Sequence, residues 1–251
     1  MAVPKKVEER IKKGLKKYKR ILESARARDI NEADTRLIIT DLLSELFGFD
    51  KFTDITSEYM IRGTFCDFVI KIKEKQYFLI EVKRIGIDLK EPHIKQALDY
   101  ASNEGVDWVI LTNGVVWQVY KVLFKKPIDK QLVVNINLLE ASFRDTSTLE
   151  QLFLLCKEGV RKSAIDDFEA SKQATDRYTI SAILQTEPVL KSIRKEIRKI
   201  NKVAKIEDEH LLNILKNEIF KRDLIEDKKA EKAMANVKRV NKKIKKKKDN
   251  N

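Results

Sequence analysis

The sequence predicts an α/β fold: a mixed central sheet flanked by helices, followed by a helical C-terminal region. Three observations carry that prediction. Residues 65–73 and 77–83 are apolar-rich runs that read as one β-hairpin, and the runs 107–111 and 115–123 flank Asn113-Gly114, a strong signal for a second one. Helical periodicity precedes the first hairpin and returns between the two. From about Leu149 onward every periodic stretch is helical.

Taken in order, residues 4–28 read as a basic amphipathic helix with Val7, Ile11, Leu15, Tyr18 and Leu22 at three- and four-residue spacing among lysines. Asn31 is placed to N-cap a second helix over residues 32–47, with Leu37, Ile38, Leu42, Leu43 and Leu46 as its core face and Gly48 as the C′ stop. Residues 51–62 are expected as a strand or irregular edge, with Gly63 allowing a bend before the first hairpin. A helix starts near Glu91-Pro92, where proline suits the first turn. The resulting order is helix, three strands, helix, two strands. Helices are then expected over residues 149–163, 165–185, 188–203 and 208–221. Residues 228–248 hold eleven basic side chains against the single acidic Glu231, which predicts a frayed helix or disorder. The expected organisation is a basic N-terminal helix (1–29), the α/β domain (30–148), a helical accessory region (149–227) and a basic tail (228–251).

At 251 residues and 43% hydrophobic content the chain is long enough to bury a full core. No run approaches the roughly 18 to 20 apolar residues of a membrane span, and the N-terminus shows no apolar leader, so a cytoplasmic location is expected. Cys66 and Cys156 lie far apart without CxxC spacing, which predicts two buried, reduced thiols and no zinc site. Net charge is +13, unevenly spread: +7 over residues 1–29, −4 over 30–150 and +10 over 151–251. Two readings of the flanks stay open, solvated lysine-rich faces or arms that grip a polyanion. On the second reading Lys242, Lys243, Lys245 and Lys246 are the candidate nucleic-acid-binding residues. Trp108 and Trp117 read as sheet packing, and no interleaved basic-aromatic stripe of the single-strand-binding kind is present.

The most specific chemistry lies in Asp67 and the triplet Glu81-Val82-Lys83. Residues two apart in a strand share a face, so Lys83 lies within reach of whatever Glu81 binds. Asp67 joins that face only if the hairpin pairs odd with odd positions, for example 67 with 83. A three-residue connection Glu74-Lys75-Gln76 does this, whereas a two-residue turn needs a bulge to restore it. Two carboxylates suit Mg²⁺, which takes one or two of them and keeps several waters. A cation beside a phosphodiester, with Lys83 adding positive charge, is what hydrolysis of that bond requires. A lowered pKa of Lys83 close to the bound metal, letting it orient or deprotonate the water, is a further expectation. The bland alternative is that charges alternating with apolar residues mark any half-exposed strand.

Asp67, Glu81-Val82-Lys83, Glu32 at the start of the first core helix and Gln96-x-x-x-Tyr100 together resemble the PD-(D/E)xK nuclease superfamily. More narrowly, the segments from Asn31-Glu32-Ala-Asp-Thr-Arg to Leu-Phe-Gly-Phe-Asp50, Ile80-Glu-Val-Lys-Arg84 and Leu111-Thr-Asn-Gly-Val-Val-Trp117 are similar to the N-terminal nuclease domain of type I restriction enzyme R subunits and to stand-alone restriction endonucleases built on it. The resemblance covers roughly residues 30–145 and implies a restriction-endonuclease-like core. It implies DNA cleavage dependent on Mg²⁺ or Mn²⁺, with Asp67 and Glu81 as metal ligands and the Val82 carbonyl as a further one. Lys83 would be the catalytic lysine, Glu32 would assist the metal or its water, and Gln96 would reach the same site. Glu32 is equally suited to a helix's first turn by the macrodipole, and Gln96 and Tyr100 to plain surface and core roles. No Gly-x-x-x-x-Gly-Lys-Ser/Thr occurs, so no ATP-driven translocase and no ATP dependence are expected of this chain. Expected partners are DNA, a second copy for double-strand cleavage, or restriction-system subunits, and no membrane. The alternative function is a catalytically silent nuclease fold that binds nucleic acid or a protein.

Overall fold

A computed structural model describes residues 2–61, 64–202 and 205–249. The expected bend at Gly63 lies outside the described residues. The chain divides into two compact units, Met1–Asp166 and Asp167–Asn251.

In the first unit α1 (Lys5–Ala27) buries Val7, Ile11, Leu15, Tyr18 and Leu22, the stripe that the spacing predicts. Helix α2 (Glu32–Asp41) starts at Asn31, whose side chain accepts a hydrogen bond from Asp34 N at 2.8 Å. It runs on as one wider π-helical turn, Leu42–Leu46, in which Phe47 N donates to Leu42 O, and the helix stops at Gly48 with φ 82°. The core face differs from expectation at two positions: Ile38 is only half-buried, with Ile39 taking its place, and Leu37 is exposed. Thr35, Ile39, Leu42, Leu43 and Leu46 are buried, whereas Leu37 is 69% exposed, out of phase with that stripe.

Six strands follow: β1 (Ile55–Ile61), β2 (Thr64–Ile72), β3 (Lys75–Val82), β4 (Trp108–Thr112), β5 (Val116–Leu123) and β6 (Asp129–Asn137). They lie in chain order, antiparallel except for β3 and β4. That parallel pair needs a crossover, supplied by α3 (Lys95–Glu104) behind a 3₁₀ turn over Glu91–Ile94 that contains Pro92. Strand β6 is absent from the sequence-based order. A β-bulge inserts Val133 as an extra residue: Val119 pairs with Val134 and Tyr120 with Leu132, so Val133 and Val134 are both buried and the alternation that announces a strand is broken.

Both sheet faces are covered. Val69, Leu79, Val109 and Leu111 pack with Ala97, Leu98, Tyr100 and Ala101 of α3. On the other face a Cβ at Gly114 would touch Leu22 of α1 and Thr35 and Ile39 of α2, and Phe47 meets Trp117 edge-on at 5.0 Å. Trp108 and Trp117 are buried, as expected of sheet packing. The expected single helix over residues 149–163 is two, α4 (Thr146–Leu155) and α5 (Lys157–Arg161), broken where Lys157 N donates to Phe47 O instead of to its own helix. Leu152 to Cys156 are all buried, so this segment belongs to the first core.

In the second unit the expected helix over residues 165–185 is also two, α6 (Ala164–Ala174) and α7 (Arg177–Leu184), because Asp176 caps the latter through Tyr178 N and Thr179 N. Helix α8 (Glu187–Ile200) meets α9 (Asp208–Ile214) around Leu190, Leu211 and Leu215. After a short α10 (Asp223–Glu226), the segment expected to be frayed or disordered is the helix α11 (Lys228–Asp249), which packs on α7 and buries Ala230. No helix among the described residues is long and apolar enough to cross a membrane.

Candidate active site

The hairpin that carries the site does not use the expected three-residue turn. Lys73 and Glu74 form a two-residue turn, with Lys73 at φ 57°, and Ile72 pairs with Lys75. A bulge then corrects the register: Lys71 pairs with Gln76 but Ile70 pairs with Phe78, leaving Tyr77 extra. The Phe68–Ile80 pairing consequently carries Asp67 opposite Glu81, not Lys83. Odd positions still face odd positions.

Just here the two strands stop sharing a ladder. Asp67 Oδ2 accepts from Val82 N at 2.7 Å, and the Cys66 thiol donates to the carbonyls of Ile80 and Phe68. Side chains of β2 thus satisfy backbone groups of β3, whose other edge continues to β4 through Lys83 N donating to Thr112 O at 2.8 Å. Both cysteines are buried free thiols, as expected. Burial, then the fields of Glu81 and Asp67, push the Cys66 thiol up to about 12, so it is a neutral neighbour of the site.

Glu81 is 7% exposed and accepts from Lys83 Nζ at 2.6 Å, so the two share a face. Burial raises the Glu81 carboxyl above its ordinary value; the Lys83 hydrogen bond opposes this and Asp67 adds to it. Burial likewise raises Asp67 against the pull of the Val82 amide, Arg36 and Lys83. Without a metal, the Lys83 ammonium is raised above its ordinary value. Its burial does pull downward, but the Glu81 hydrogen bond and the fields of Glu81, Glu32 and Asp67 outweigh it and leave the ammonium raised. In the metal-free chain Glu81 thus favours the charged form of Lys83.

Sequence reasoning missed Arg36. Its Nη1 lies 3.3 Å from Asp67 Oδ1 and its Nη2 3.8 Å from Glu32 Oε1, so α2 reaches the cluster through an arginine and brings Glu32 with it. The available signal was the i,i+4 spacing of Glu32 and Arg36. Gln96 stands exposed on α3, and Tyr100, one turn on, is buried against the sheet. Lys242 is exposed on α11; the side chains of Lys243, Lys245 and Lys246 lie outside the described residues.

Among the described residues no three His, Cys, Asp or Glu side chains form a group that could hold a metal ion. Two carboxylates, Asp67 and Glu81, lie close enough for the charge of one to act on the other. Their carboxylate oxygens, each already beside a cationic side chain, are the hard donors that a divalent ion completed by water prefers.

Residues 31–136 match the family described as type I restriction enzyme R protein N terminus, a stretch that contains Glu32, Arg36, Asp67, Glu81, Lys83 and Gln96. The match supports a restriction-type nuclease. No curated protein and no solved structure matches the chain.

Proposed function

We propose, from residues 31–136 as a type I restriction enzyme R protein N-terminal domain, that the chain is a metal-dependent endonuclease hydrolysing DNA phosphodiester bonds. The observation that carries the proposal is the cluster of Asp67, Glu81 and Lys83 where β2 and β3 part. Asp67 and Glu81 would hold Mg²⁺ or Mn²⁺, with the Val82 carbonyl and Glu32 as the further candidates beside them. The bound ion would supply Lewis-acid activation of water and of the phosphate. Lys83, hydrogen-bonded to Glu81, would supply positive charge where the pentacoordinate phosphorus gathers negative charge. Gln96, exposed on α3, is assigned to substrate contact. The basic faces of α1 and α11 would hold the DNA backbone, with Lys242, Lys243, Lys245 and Lys246 at the end of the latter.

A plasmid-nicking assay under Mg²⁺ titration tests the proposal. Asp67→Ala, Glu81→Ala and Lys83→Ala are each expected to lower cleavage by at least about a hundredfold while the circular dichroism spectrum is retained. Cleavage by the purified variants at the wild-type rate would falsify it. Metal-independent binding without any cleavage by the wild type would favour a silent, nucleic-acid-binding nuclease fold.

A further inference from the structure

Arg36 sits between Glu32 and Asp67, with its side chain 30% exposed and Asp67 only 14% exposed. A guanidinium on a candidate metal-ligand carboxylate competes with any divalent ion for that oxygen. Resting on the nuclease reading above, we propose that Arg36 is a placeholder cation that holds Asp67 in the metal-free protein and contacts the substrate phosphate when Asp67 takes a divalent ion. Two physical arguments support the exchange. A doubly charged ion on Asp67 would repel the adjacent guanidinium, which moves by rotamer change on one helical turn, whereas Lys83 is tethered two residues from Glu81. The anion a nuclease substrate brings is a phosphodiester, and the planar, permanently charged guanidinium fork matches it. Glu32, one turn before on α2, keeps the guanidinium at the site between its two positions.

The proposal separates binding from turnover. Removing a competing cation strengthens metal binding, whereas removing a phosphate contact weakens catalysis. A merely structural arginine would move both the same way. Mn²⁺ affinity of the full chain, measured by isothermal titration at pH 8, is expected to tighten about tenfold in Arg36→Gln. Single-turnover DNA cleavage at saturating Mn²⁺ is expected to fall about a hundredfold. Arg36→Lys, which keeps the charge but not the fork, should bind Mn²⁺ within about threefold of wild type and still cut slowly. Unchanged or weaker Mn²⁺ binding by Arg36→Gln, or tighter binding with wild-type turnover, overturns the assignment while a cleaving wild type leaves the nuclease reading standing. A wild type that neither binds Mn²⁺ nor cuts DNA removes both.

Discussion

At the scale of single residues the site is governed by burial. Glu81 and Asp67 are raised mainly because water is excluded, not because they repel each other, and Lys83 is raised because its partner outweighs that same exclusion. The sign for activity follows. If Asp67 and Glu81 hold the ion as proposed, protons and metal compete for them, so cleavage at subsaturating metal should fall as pH drops and recover as metal is added. A cleavage rate at low pH that does not respond to added metal would contradict that competition. The thiols offer an independent check. With Cys66 and Cys156 both pushed up to about 12 by burial, the native protein at pH 8 should react with iodoacetamide far more slowly than the protein in guanidinium chloride.

Elements are held by close approaches that are not evident in the residue pattern. A Cβ on Gly14 of α1 would lie 2.5 Å from Leu46 Cδ1 and 3.3 Å from Leu46 Cα, so this glycine sets how near the helix comes to the π turn. Gly14→Val should cost about 1–3 kcal/mol, read as a lower urea midpoint. Arg10 fastens the same pair of elements to α5: it donates to both Glu158 oxygens, at 2.7 and 2.6 Å, and to Leu46 O at 3.1 Å. The Arg10 hydrogen bond, against desolvation, holds Glu158 below its ordinary value. A lowered acid stabilises the fold above its unfolded pKa, and that contribution disappears as pH falls through the folded value. Arg10→Ala should therefore narrow the stability gap between pH 7 and pH 3, measured by urea titration at each pH.

The whole molecule separates its charges. Residues 30–150 carry a net −4, while the flanks carry the surplus cations, several of them on the outer face of α1 and along α11. Any hold on DNA is therefore largely a phosphate grip made outside the site, and its affinity should fall steeply with salt. Replacing Lys12, Lys13, Lys16 and Arg20 with glutamate should flatten the slope of log K against log salt, by about one unit for each phosphate no longer neutralised, without altering metal affinity at Asp67. A retained slope would move the DNA-binding surface off α1.

The sequence by itself determined most helices and the first five strands, both helix caps at Asn31 and Gly48, the mixed sheet, and the pairing of Glu81 with Lys83, because these follow from local periodicity and from geometry within one element. Tertiary structure decided the rest. The Tyr77 bulge set Asp67 opposite Glu81, the Val133 bulge hid a sixth strand, and the breaks at Cys156 and Asp176 divided two expected helices. Above all it brought Arg36 and Glu32 to Asp67, from a helix well before the hairpin in the chain. Register and long-range ion pairs depend on which backbone and charged groups are left unsatisfied once the core closes, and a one-dimensional pattern does not contain that information.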